Sequence, residues 1–91
     1  MALEHLPGND LVAAGLRDLA LGIESEAALL VSIGEPRLAR LGFVIANAFP
    51  DPELRLYRRL AASEPGSAHS RYNALIRRLV SFERAAECAP R

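Results

Sequence analysis

The sequence predicts an all-α fold, a compact bundle-like or orthogonal arrangement of about five short helices with a long C-terminal helix. Three observations lead there. Apolar residues make up 51% of the chain but aromatics only 5%, with no Trp. Leu, Ala, Val and Ile must therefore fill the core, and Ala, Leu, Arg and Glu lose little conformational freedom on entering a helix. Apolar side chains recur at spacings of three and four. Six Gly and six Pro punctuate these stretches at positions where helices start and stop.

Ninety-one residues are expected to form a single domain, 1–91, with flexible ends at 1–7 and 88–91. At this size folding removes only roughly 60–65% of the unfolded chain's surface from water, so association would add appreciably to stability.

After the Pro7-Gly8 turn, Asn9 or Asp10 is expected to cap the first helix by accepting orphan backbone N–H groups. Val12, Leu16 and Leu19 form its inner stripe, and Gly22 suits the left-handed residue beyond its end. Ser25 then caps a second helix, with Glu24 and Glu26 near the positive end of its dipole. Its body, Ala27 to Ile33, is apolar on nearly every side, which places it in the middle of the fold. Gly34 ends it. Pro36 fits the first position of a short third helix that turns Leu38 and Leu41 inward and Arg37 and Arg40 outward, and Gly42 stops it.

A lone strand over Phe43–Phe49 would have nothing to pair with, so this stretch reads as a buried connector or a short helical turn. Asp51-Pro52-Glu53 has the order of a helix start: cap, Pro, acid. The inner face of that helix is expected to be Leu54, Tyr57, Leu60 and Ala61, with Arg55, Arg58 and Arg59 outside or on the rim. Glu64-Pro65-Gly66 breaks it. Ser67 or Ser70 opens the last helix, which runs to about Glu87 with Tyr72, Leu75, Ile76, Leu79, Val80, Phe82 and Ala86 in one arc.

All eleven basic residues are Arg, matched by eleven acids. The absence of Lys points to a GC-rich, bacterial coding genome, or to Arg chosen for its planar, bidentate hydrogen bonding. Net neutrality argues against a dedicated DNA-binding domain. Residues 1–50 hold three Arg and six acids, whereas residues 51–91 hold eight Arg and five acids. The two halves could pair within one monomer or steer a partner. A single cysteine, Cys88, excludes an internal disulfide. With no signal-like start and no apolar run near the ~20 residues that span a bilayer, the expected setting is cytoplasmic, with no membrane contact.

Chemistry-bearing patterns are sparse. His5, His69 and Cys88 lie far apart and match no metal-ligand spacing. No Ser stands in a strained Gly-flanked turn, and no Gly-rich loop could cradle phosphate. The expectation is therefore a non-enzymatic protein without metal or cofactor. Gly34 between two helices has helix-turn-helix spacing, but Glu35 and Arg40 put charge where that motif needs core residues, and Leu30 is bulky where it needs a small one.

The last helix is the most informative element. Arg77 and Arg84 share one flank, Arg71 and Arg78 the other, and Ala74, Ser81 and Ala85 lie between them. Small residues allow a second helix close approach, while Arg at a rim pairs with carboxylates. These seven residues form the candidate partner-binding face of an interaction or regulatory module that self-associates or docks on another protein. The alternative is weak, phosphate-directed nucleic-acid binding through Arg55, Arg58, Arg59, Arg71, Arg77 and Arg78. Glu83 falls inside the apolar arc and needs a partner, for which Arg58 of the preceding helix is in reach.

Overall fold

A computed structural model describes residues 5–88. It contains helices α1 (Asn9–Ala20), α2 (Glu26–Ile33), α3 (Glu35–Arg40), α4 (Pro52–Ser63) and α5 (Ala68–Cys88), with a 3-10 turn at Pro65–Ser67 before α5. The all-α expectation holds among the described residues. Residues 1–4 and 89–91, part of the ends expected to be flexible, lie outside them. Leu6, within the first of those ends, packs against the core.

Helix α2 is the central element, and its composition is the reason. Ala28, Leu29, Leu30, Val31 and Ser32 are all buried, as an all-round apolar helix requires. Ser25 caps it, its hydroxyl accepting from the Ala28 N–H at 3.0 Å and donating to Asp18 at 2.7 Å. Helices α1 and α4 pack on α2, and α5 lies across α4 and α2. Gly15 stands inside α1 and not at a helix end as expected, and the crossing of α1 on α2 depends on it, since an added Cβ would collide with the Ala27 carbonyl and the Val31 side chain.

Two helix ends close identically. Beyond α1, Gly22 (φ 72) donates to Leu19 and Ile23 donates to Asp18. Beyond α3, Gly42 (φ 103) donates to Ala39 and Phe43 donates to Leu38. Both are Schellman motifs that need a left-handed residue, satisfying carbonyls left orphaned by the helix end.

The helix starts differ from expectation in three places. Pro36 takes the second position of α3, behind Glu35, rather than the first. Neither Asn9 nor Asp10 caps α1; both lie inside its first turn, and the capping position is Gly8 with φ 79 and no side-chain bond. Gly8 is small because it sits against α5, where a Cβ would stand 2.7 Å from the Arg78 carbonyl. Asp51 precedes α4 in a left-handed conformation (φ 48) and its carboxylate caps nothing. Asp tolerates that region better than most residues, and Pro52 then fixes the first helical φ.

The inner face of α4 is also rotated from its expected phase. Leu56 and Leu60 are fully buried, Ala61 is half-buried, and Leu54 and Tyr57 are 51% and 40% exposed. Leu56 and Leu60, one turn apart, face α2, while the Tyr57 ring leans on Tyr72 of α5 at 5.9 Å between centroids. In α5, Leu79, Phe82 and Ala86 are buried, and Tyr72, Leu75 and Ile76 pack partly buried against them.

Residues 41–51 form a pinned connector. Phe43 packs on Phe82 at 5.6 Å between centroids, and the Asn47 amide donates to the Leu19 carbonyl at 3.1 Å. The Phe49 N–H donates to the Ser32 hydroxyl at 3.1 Å, which itself donates to the Ala28 carbonyl at 2.9 Å. Val44 points away from the core at 90% exposure.

Candidate functional site: the faces of helix α5

The predicted partner face forms one side of α5, but its two flanks differ. On one flank Arg71 reaches Glu26 at 3.3 Å and Glu64 at 3.4 Å. Arg78 on the same flank donates to both oxygens of Asp10 at 2.9 and 3.1 Å. The Arg78 hydrogen bond is the leading reason that the Asp10 carboxyl sits below its ordinary value. These guanidinium groups and Glu26 border a shallow cleft of about 190 Å³ with Ala74 and Leu75.

The opposite flank carries Arg77 and Arg84. Among the described residues no carboxylate lies within ion-pair distance of Arg77 or Arg84. Between the flanks Ala74 and Ser81 are exposed and Ala85 is half-buried. Cys88, exposed in the last turn of α5, continues the same strip seven residues beyond Ser81.

The acidic N-terminal half and the Arg-rich C-terminal half meet inside one chain, through Asp10–Arg78, Glu26–Arg71 and Glu24–Arg55 at 2.8 Å. Arg55 also lies over the Phe49 ring at 5.8 Å. Of the six Arg proposed for phosphate contact, Arg55, Arg71 and Arg78 are thus paired with acids, leaving Arg58, Arg59 and Arg77 without one among the described residues.

The partner of Glu83 is corrected by the structure. It is Arg37 of α3, at 3.6 Å, and not Arg58, which is exposed on α4. Glu83 is only 4% exposed, yet Arg37 gives its hydrogen bonds to Glu87, at 2.8 Å from Nε and 2.6 Å from Nη2. Burial pushes the Glu83 carboxyl above its ordinary value, Arg37 draws it back, and Glu87 adds repulsion. Room for this carboxylate comes from Gly34, where a Cβ would stand 3.0 Å from Glu83 Oε2 and from a Leu79 methyl. Gly34 is therefore a packing residue as well as the junction between α2 and α3, which accounts for the helix-turn-helix spacing without that motif's chemistry.

Glu83 lies in a groove of about 300 Å³ between α3 and α5, floored by Ile33, Ile76, Leu79 and Val80 and edged by Arg37 and Arg40. Sequence reasoning missed this groove. The pairing of Gly34 with a charged residue in the apolar arc of α5 is the signal that could have found it.

Among the described residues no cluster of His, Cys, Asp or Glu is placed to hold a metal ion, and no helix is long and apolar enough to cross a membrane. No protein-family model matches the chain, and comparison with curated proteins and with solved structures finds no match.

Proposed function

We propose that the chain is a non-enzymatic helical interaction module that self-associates and presents the outer face of α5 to a carboxylate-bearing partner. The observation that carries this reading is the difference between the flanks. Arg71 and Arg78 are occupied by acids of their own chain, whereas Arg77 and Arg84 border Ala74, Ser81 and Ala85 with no acid partner among the described residues. Small residues admit a helix at close range, and Arg is suited to bidentate carboxylate recognition.

In an antiparallel twofold pairing of this face the flank carrying Arg77 and Arg84 would meet its own copy, like charge against like. The partner of this face is accordingly a different, acidic helix. A cytoplasmic setting belongs to the same proposal, supported by the lone cysteine, which needs no oxidising compartment.

The test is affinity capture from the source cell with wild-type protein and the R77E/R84E variant, followed by reconstitution with each purified candidate. The expected result is a partner with an acidic helix whose affinity drops at least ~tenfold for the variant, as reversal of rim charges implies. Equal affinity for both proteins removes the α5 face from the interface.

A further inference from the structure

In the groove between α3 and α5, Ile76, Leu79, Val80 and Glu83 form one stripe of α5, roughly 10 Å long at 1.5 Å per residue. Three of its members are apolar and the last is a buried carboxylate. Arg37 Nη1 stands 3.6 Å from Glu83, beyond hydrogen-bonding range, and the same guanidinium turns Nε and Nη2 to Glu87. Among the described residues no N–H or O–H donates to Glu83. No fully enclosed side-chain oxygen there lacks a hydrogen bond either, so the Glu83 oxygens, which accept none, are open to the groove they line. Gly34 keeps that opening free, since a Cβ would stand 3.0 Å from Glu83 Oε2. Two carboxylates share the one guanidinium of Arg37, which leaves a negative charge over. Arg40, the other cation at the edge, is exposed and outside ion-pair distance of Glu83, so water and salt screen it.

We infer that this groove binds a small aliphatic amine in its protonated form, the ammonium hydrogen-bonded to Glu83 and the hydrocarbon laid along Ile33, Ile76, Leu79 and Val80. An ionised carboxylate has about four acceptor positions and an ammonium has three donors and no acceptor, so the ligand supplies what this site lacks. Such a charge-assisted bond is roughly twice as strong as a neutral one. Burial and Glu87 both work against the charge on Glu83, and Arg37 works for it; a second cation adds to the side of Arg37. A ligand ending in a carboxylate would set its charge against Glu83, and an alcohol would leave that charge unbalanced. The volume of about 300 Å³ is at the lower end for small-molecule sites, which suits a short chain. The groove shares no residue with the outer face of α5, so this site and the docking proposed above are tested separately.

The test is a titration followed by NMR near neutral pH, with n-hexylamine, hexanol and hexanoate each added to wild type up to about 10 mM. Hexylamine is then added to Glu83→Gln, with circular dichroism confirming that the variant is folded. The expected result is saturable shifts at Ile33, Ile76, Leu79 and Val80 with hexylamine, and binding at least ~tenfold tighter than that of the alcohol or the acid. Glu83→Gln should weaken hexylamine at least ~tenfold, as loss of one member of a desolvated charge pair implies. The comparison of the three ligands on wild type stands even if the variant does not fold. Absence of a saturable shift with hexylamine overturns the site. Hexanol binding as well as the amine removes the charge recognition, and hexanoate binding better would hand the groove to its arginines. An undiminished affinity in the folded variant removes Glu83 from the site, and each of these results overturns the inference.

Discussion

At Glu83, burial and ion pairing act in opposite directions on one carboxylate. The folded protein keeps the proton on this group to higher pH than the unfolded chain does. Its contribution to stability is therefore fully present below the unfolded value near 4.5 and is lost as pH rises through the folded value. Glu83→Gln removes that decline while keeping the shape, so the variant should gain on wild type as pH rises from about 4.5 toward neutrality. Thermal melts across that range provide the measurement, and parallel curves for the two proteins would contradict the assignment. Asp10 runs the other way, its pairing with Arg78 present above the ordinary carboxylate value and lost as pH falls, but at a fully exposed site where solvent screening keeps the effect small.

At the scale of elements, Ser32 links α2 to the connector that follows α3. Its hydroxyl donates to Ala28 and accepts from Phe49, so the connector takes its position from a buried polar atom. Ser32→Ala leaves the Phe49 N–H without that partner and should cost about 1–3 kcal/mol in chemical denaturation, the range for an orphaned, partly buried donor. Backbone hydrogen exchange should rise at residues 47–51 before it rises in α2 itself, and unchanged exchange there would show that the Phe43 contact alone holds the segment.

The helices, most of their ends and the central place of α2 were legible because composition and punctuation decide them locally. Ser25, Gly22 and Gly42 act as their residue types dictate. The phase of α4 was not legible, since Leu54 and Tyr57 fit a helical stripe as well as Leu56 and Leu60 do. Packing against α2 decides between the two, and no local preference encodes that packing. Asp51 failed as a cap for a related reason, its backbone being set by the connector's path rather than by the helix it precedes. Of the candidate site, the seven residues of the α5 face share one side as expected, but the pairing that spends Arg71 and Arg78 depends on where Asp10 and Glu26 arrive in space.

Across the whole molecule, the acidic and Arg-rich halves neutralise each other through pairs with appreciably exposed side chains, such as Arg78 and Asp10 at 48% and 76%. Pairs of this kind contribute about 0–1 kcal/mol each. Raising salt from about 0.1 M to about 1 M shortens the screening length from roughly 10 Å to roughly 3 Å, so chemical denaturation should show less than about 2 kcal/mol of lost stability. A loss above about 3 kcal/mol would mean that these charges act as a cooperative network rather than as separate surface pairs. Stability resides instead in the Leu-rich contact of α2 with α1 and α4.

Because Cys88 is the chain's one thiol and stands exposed at the end of α5, the molecule carries a labelling handle beside its proposed docking face. A fluorophore attached there without altering any other residue would report arrival of an acidic helix as a change in emission.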